Sequence, residues 1–327
     1  MTTIALDVPG GDLPDQIKIN GALDALQENE NLSIILVGNQ YLISKELDTI
    51  SSTLKKRIDI CHTEITIGMG ESPSRILKQK KLSSLGLAVE LVKNKKANAI
   101  VSAGNTGAQM AASLFMLGRI SSIDRPAIAI TVPCINGSFV LLDAGANTDL
   151  KAQNLFDFAR MGHAYAKIIY RKDAPVIGLL NNGTEEEKGN KLTKEAFPLL
   201  SQLSSFYGFI EGREMMKGSC DVIICDGFTG NIVLKTIEGV AQSLMSWLKE
   251  ELHSSLPHKF AGLLLKSSFR KLKYKLDYRA VGGAPLLGVN GISIICHGSS
   301  DALAIKNALL LADKLHQESL IDQLSSI

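Results

Sequence analysis

Two segments of this sequence share a Gly-x-Thr-Gly pattern, Gly104-Asn105-Thr106-Gly107 and Gly227-Phe228-Thr229-Gly230. Each follows a short apolar run and precedes a helix-forming segment. Glycines let the backbone turn tightly and approach a ligand, the N–H groups and dipole of a helix start favour an anion, and a threonine hydroxyl can donate to phosphate oxygen. A plain turn followed by a helix cap has the same pattern. Lys188, within Glu185-Glu186-Glu187-Lys188-Gly189-Asn190, could supply positive charge to a bound phosphate or pair with its glutamates on the surface. Asp226 and Asn231 flank the second pattern and could orient a nucleophile, donate to an oxyanion or cap the turn. His297, ahead of Gly298-Ser299-Ser300, could act as acid, base, anion donor or an ordinary loop histidine.

Such residues need a scaffold. Short apolar, β-branched runs at 3–6, 32–37, 99–101, 127–132, 139–142, 176–180, 222–225 and 292–295 alternate with longer helical patterns. Runs that are apolar on both sides suit strands covered on both faces, as in parallel sheets. Leu155, Phe158, Ala159, Gly162, Tyr165, Ala166 and Ile169 fall on one helical stripe. The expected class is α/β with a mainly parallel sheet. Ligands of such sheets bind beyond the carboxyl ends of strands, and six of the runs end in glycine-rich polar loops, beginning with Asp7-Val8-Pro9-Gly10-Gly11-Asp12. No long Pro/Ser-rich linker interrupts residues 1–327, so a single unit is expected.

Several function classes are disfavoured. With 35 Lys+Arg against 33 Asp+Glu, the net charge of +2 gives no global field that would draw nucleic acid. No stretch approaches the ~20 apolar residues of a spanning helix. The start of the chain lacks a signal-peptide pattern, which makes a reducing cytoplasm the expected address. The five cysteines show no Cys-x-x-Cys pair, so neither a disulfide framework nor a zinc site is expected. Dinucleotide, Walker and Gly-x-Ser-x-Gly fingerprints are missing, and the six histidines support no triad order. A nicotinamide dehydrogenase and a covalent Ser or Cys mechanism therefore have little backing.

Residues 253–279 concentrate positive charge, with seven Lys/Arg against one carboxylate. Leu256, Phe260, Leu263 and Leu264 form one helical stripe and Leu265, Phe269, Leu272 and Leu276 another, with Pro257 acceptable at a helix start and Gly262 near an expected bend. An amphipathic helical pair with a basic rim that includes Lys266, Arg270 and Lys271 is expected. It suits a membrane interface, or packing against its own core or a second copy.

Taken in order, the loops resemble one family, the bacterial phosphate acyltransferases (acyl-acyl-carrier-protein:phosphate transacylases). The resemblance runs from residue 7 to 300. Its first segments are Asp7-x-x-Gly10-Gly11-Asp12, Lys80-Lys81-x-Ser83-Ser84, Ser102-Ala103-Gly104-Asn105-Thr106-Gly107-Ala108, and Gly118-Arg119-Ile120 with Asp124-Arg125-Pro126. It continues through Leu142-Asp143-x-Gly145-Ala146-Asn147, Asn181-x-Gly183-Thr184-Glu185, Lys188-Gly189-Asn190, Asp226-Gly227-Phe228-Thr229-Gly230-Asn231, Leu234-Lys235-Thr236-x-Glu238-Gly239, Gly282-Gly283-Ala284 and His297-Gly298-Ser299-Ser300. Pro9 stands where the family usually has Met, which removes a backbone N–H, and Leu85 replaces another Met at similar volume.

The resemblance implies an α/β/α sandwich of the isocitrate/isopropylmalate dehydrogenase type, shared with phosphotransacetylases. It implies a homodimer, peripheral membrane association and no cofactor or metal. The implied reaction is attack of inorganic phosphate on the thioester of an acylated carrier protein, giving acyl phosphate for phospholipid synthesis. Lys188, Asp226 and Asn231 are its expected catalytic residues. Asp7, Gly10, Gly11, Asn105, Thr106, Gly107, Gly183, Thr184, Thr229, Gly230, His297 and Ser299 are the expected substrate-binding set.

Overall fold

The computed structural model describes residues 1–48, 50–73, 81–269 and 282–327. All eight apolar runs become strands, because each can bury its side chains against helices on two faces. The amino-terminal part contains β1 (Thr2–Asp7), α1 (Asp15–Glu28), β2 (Leu32–Gly38), α2 (Gln40–Leu47), α3 (Ser52–Lys55), β3 (Ile58–His62), α4 (Ser84–Lys93), β4 (Ala99–Ser102) and α5 (Thr106–Ala112), which continues as a π-helical turn (Ser113–Leu117). The middle contains β5 (Ala127–Cys134), β6 (Gly137–Leu142), α6 (Ala152–Tyr170), β7 (Ile177–Asn181), α7 (Lys191–Leu200), β8 (Phe206–Glu211), α8 (Gly212–Met215) and β9 (Val222–Ile224). The remainder comprises α9 (Gly227–His253), α10 (Leu256–Leu264), β10 (Ala284–Leu287), β11 (Ile292–Ile295), α11 (Ala302–Gln317) and α12 (Leu320–Ser325).

Among the described residues, eleven strands form one sheet in the order β3-β2-β1-β4-β11-β10-β5-β6-β9-β7-β8. Two faces of β1 show the layering: Ile4 and Leu6 join a core with α1, α6 and α11, whereas Ala5 joins another with α4 and α5. This is the expected α/β/α sandwich. Three strands were not anticipated. β3 is an edge strand with alternating exposure. β8 carries Gly208 at φ +117°, and β10 contains a proline, so neither shows a continuous β-branched run.

The sheet consists of two parallel blocks running in opposite directions. β3, β2, β1, β4 and β11 are parallel to one another, as are β6, β9, β7 and β8, while β10 and β5 join the blocks through antiparallel pairs. The register staggers them. Ile295 at the end of β11 faces Ala284, Leu286 faces Ile128, and the adjacent Ala129 faces Leu142 at the end of β6. The carboxyl ends of both blocks therefore arrive at nearly the same level and point toward each other, which places all six glycine-rich loops along one line.

The helical expectation for 253–279 holds where it is described. Ser255 caps α10 by accepting from the His258 N–H at 3.3 Å, and Pro257 occupies its first turn. Gly262 lies inside α10, packed against Leu252 of α9, three residues before the helix breaks at Leu265. Arg270, Lys271, Leu272 and Leu276 lie outside the described residues.

Candidate active site

On the first block, Asp7 ends β1 with 2% exposure and Ser102 ends β4. The Ser102 hydroxyl donates to Asp7 Oδ2 at 2.6 Å and accepts from the Gly104 N–H at 3.0 Å, so the carboxyl steers the first Gly-x-Thr-Gly loop through one serine. Burial raises the Asp7 carboxyl above its ordinary range, and the Ser102 bond opposes this. A Cβ on Gly10 would lie 2.5 Å from the same carboxyl and 2.9 Å from the Gly104 nitrogen, which requires glycine there. Asp7 and Gly10 thus form the floor beneath the loop, joined by Gly11 at φ +103°.

Asn105 caps α5. Its Oδ1 accepts from the Ala108 N–H at 2.9 Å, while Nδ2 donates to the carbonyls of Met69 at 2.8 Å and Glu71 at 2.9 Å. Its polar atoms anchor a loop rather than face open space. Thr106, one residue on, is exposed. At the third loop of this block, the Ser299 N–H donates to His297 Nδ1 at 3.2 Å. A backbone N–H can only donate, so the neutral ring carries its proton on Nε2. The Asp12 N–H donates to the Gly298 carbonyl at 2.8 Å, tying this loop to the first.

On the second block, Asp143 is fully buried and accepts from the N–H groups of Ile128, Gly145, Ala146 and Asn147, the last at 2.7 Å. The loop so shaped receives the start of α9. Gly227 N–H donates to the Asn147 carbonyl at 2.7 Å, and a Cβ on Gly230 would stand 1.9 Å from the Asp143 carbonyl oxygen. Asp226 caps the helix, with Oδ1 accepting from Thr229 N–H at 2.9 Å and Oδ2 from the Thr229 hydroxyl at 2.7 Å. These residues position the next one, Asn231, which is exposed beside Gly145. Asp143 and Asn147 were not singled out from the sequence as site residues, although their loop had the same strand-end composition as the others.

The two loop sets share one cavity of about 470 Å3. Thr106 and His297 line it from the first block and Ala144 and Asn231 from the second, with Ile128, Ile130 and Leu234 supplying apolar wall. Asp12, Lys235 and Glu238 also line it and were not expected; Lys235 pairs with Glu238 at 2.9 Å. Asp226 and Thr229 instead line a second cavity of about 390 Å3 with Asn181, Asn190 and Thr193. Gly183, Thr184 and Lys188 belong to the loop bordering that second cavity, where the Lys188 stem covers Gly183 and the lysine is exposed. Gly107 lines a third cleft of about 600 Å3. Among the described residues no group of three or more His, Cys, Asp or Glu side chains is arranged to hold a metal ion.

Comparison with known proteins identifies the family and the fold. A sequence profile of the family described as "Fatty acid synthesis protein" matches residues 2–323. The chain is 45% identical to the phosphate acyltransferase of Clostridium tetani over 322 residues, covering 98% of this chain and 96% of that protein. It is 48% identical to the phosphate acyltransferase of Heliobacterium modesticaldum over 320 residues, covering 97% and 95%. Among solved structures it is similar to a phosphotransacetylase from Streptococcus pyogenes, with TM-score 0.62, 16% identity, and 96% and 94% of the two chains covered. It is also similar to a 4-hydroxythreonine-4-phosphate dehydrogenase from Burkholderia phymatum, with TM-score 0.50, 12% identity, and 99% and 98% covered. At such identities these likenesses concern the fold, which is the one expected to be common to phosphotransacetylases and dehydrogenases. The chain belongs to the fatty acid synthesis protein family, whose relatives reported above are named phosphate acyltransferase.

Proposed function

We propose that the protein transfers a fatty acyl group from acyl-acyl-carrier protein to inorganic phosphate, giving acyl phosphate for phosphatidic acid and phospholipid synthesis. A phosphate oxygen attacks the thioester carbonyl carbon, the C–S bond breaks, and the carrier thiolate leaves and is protonated. The observation that carries this reading is the shared cavity, where Thr106 and His297 face Asn231 across the meeting point of the two blocks. Thr106 hydroxyl, His297 Nε2–H and the Asn231 amide are donors of the kind that hold a phosphate and stabilise a tetrahedral oxyanion. The apolar wall of Ile128, Ile130 and Leu234 suits an acyl chain. Lys188, with Gly183 and Thr184, contributes positive charge from the neighbouring loop.

Following acyl-carrier thioester with and without phosphate tests the reading. Acyl phosphate should form in proportion to thioester lost, and only when phosphate is present. Thioester loss that ignores phosphate, or an acylated side chain trapped during turnover, would overturn it.

The exposed apolar residues of α9 and α10 support two further parts of the proposal. Val240, Leu244 and Trp247 form an exposed i, i+4, i+7 stripe on α9, which suits a second copy of the chain. On α10, Leu256 is 81% exposed and Phe260, Leu263 and Leu264 are also exposed, beside Lys259 and Lys266. No described helix is long and apolar enough to cross a membrane. A surface of this kind lies in the membrane interface, with each cation near anionic lipid contributing ~1 kcal/mol. Co-sedimentation with anionic vesicles is expected to fall with added salt and with Leu263→Glu. Binding indifferent to both would remove the membrane from the proposal.

A further inference from the structure

The 600 Å3 cleft beside the main cavity has a wall made by the start of α5, where Gly107 faces the cleft and Thr106 faces the main cavity. Ala144 and Ala146 repeat this arrangement on the opposite loop. The cleft therefore adjoins the main cavity along both loops. Its inner lining includes Met110 and Leu114, and at its mouth stands Phe115, 69% exposed on the π-helical turn that extends α5. Such turns recur at functional sites.

Charge surrounds this aromatic residue. Arg119 and Arg125 share the cleft with Phe115, and Lys81 and Lys93 share with it an adjoining groove of about 300 Å3. Two carboxylates oppose these four cations, Glu90 and Asp124. Asp124 is already held by Arg119 at 2.9 Å and by the Asn154 amide at 3.1 Å. The Arg119 and Arg125 side chains remain 48% and 57% exposed. An exposed aromatic anchor inside a cationic ring fits a partner with an acidic face and a small apolar patch.

We propose that the acidic acyl-carrier protein docks on this ring, covering Phe115, while its prosthetic arm enters the cleft past Gly107 and delivers the thioester to Thr106 and Asn231. This rests on the carrier thioester being the acyl donor. The residues of this surface include none from the apolar stripes of α9 and α10.

The test uses the full-length protein, a Lys93→Glu/Arg125→Glu double variant and Phe115→Ser. Each is assayed with the acyl-carrier protein and with the N-acetylcysteamine thioester of the same acyl group. For the carrier substrate, KM should rise about tenfold or more in the double variant and about fivefold in Phe115→Ser, with kcat within twofold. Rates with the small thioester should stay unchanged, and the salt sensitivity of kcat/KM should flatten in the double variant. A carrier KM within twofold of wild type in both variants overturns the proposal. Equal losses with both thioesters also overturn it, because the residues would then serve the chemistry. So does an unchanged KM combined with lost vesicle binding, which would make the ring a lipid surface. Wild-type protein that forms acyl phosphate from neither thioester would refute the underlying reaction, and the docking site with it.

Discussion

Asn231→Ala is expected to lower kcat by about 10²–10³-fold, the usual consequence of deleting one preorganised oxyanion donor. Its amide donates to no protein group among the described residues, and the side chain is exposed on the wall of the shared cavity. The residues around it explain why it can be so placed. Asp226 and Thr229 fix the helix start, Gly230 seats it on the Asp143 loop, and Gly145 leaves room beside the amide. Because the side chain is exposed and its amide donates to no described protein group, the melting temperature should stay within a degree or two of wild type while turnover collapses. Lys188→Ala should act differently, raising the KM for phosphate more than it lowers kcat, since the lysine is proposed to act from the bordering loop as a point charge. Steady-state kinetics of acyl phosphate formation decide the matter. Near-normal turnover in both variants would remove both residues from the mechanism.

Among the glycines whose surroundings are described, Gly230→Ala should be the most damaging. The added Cβ would stand 1.9 Å from the Asp143 carbonyl oxygen, and that oxygen belongs to backbone that cannot swing aside as a flexible side chain could. The loop is further locked by the buried Asp143 carboxylate and its row of N–H donors. Forcing the helix off this loop should cost about 3 kcal/mol or more. For a chain of this size each kcal/mol corresponds to roughly 2–4 °C or somewhat less in melting temperature, so a fall of several degrees is expected. Gly239, on the same helix with open space around its Cα, provides the control. Gly239→Ala should raise stability by about 0.5–1 kcal/mol through helix propensity alone. Thermal unfolding of the pair separates the two cases, and equal melting points would refute the close-approach argument.

How far the sequence could be read depended on whether the signal was local. The central strands were legible because residues such as Ile4, Leu6, Ile294 and Ile295 are apolar whichever face they meet. β8 and β10 were not, since Gly208 and Pro285 break the pattern and only neighbouring strands keep those segments extended. For the site, spacing identified the loops but could not say which atoms were already engaged. Asn105, Asp226 and Thr229 have the composition of ligand-binding residues, yet their polar atoms form caps and loop anchors, while Asn231 and Thr106 remain turned to the cavity. Asp12, Lys235 and Glu238 could be read only as parts of the family's segments, because their convergence on one cavity depends on elements far apart in the chain.

The opposed strand directions have one more consequence. Among the described residues, β10 and β5 pair at two positions within the sheet, Leu286 with Ile128 and Leu287 with Ala127. The donors proposed for the anion stand on either side of this junction, above a core that runs through both halves. An anion held from both sides, as proposed, would act as a bolt across that junction, and its affinity would then be felt in the folding equilibrium of the two halves together. A small torsional error there would separate Thr106 from Asn231 without disturbing either loop.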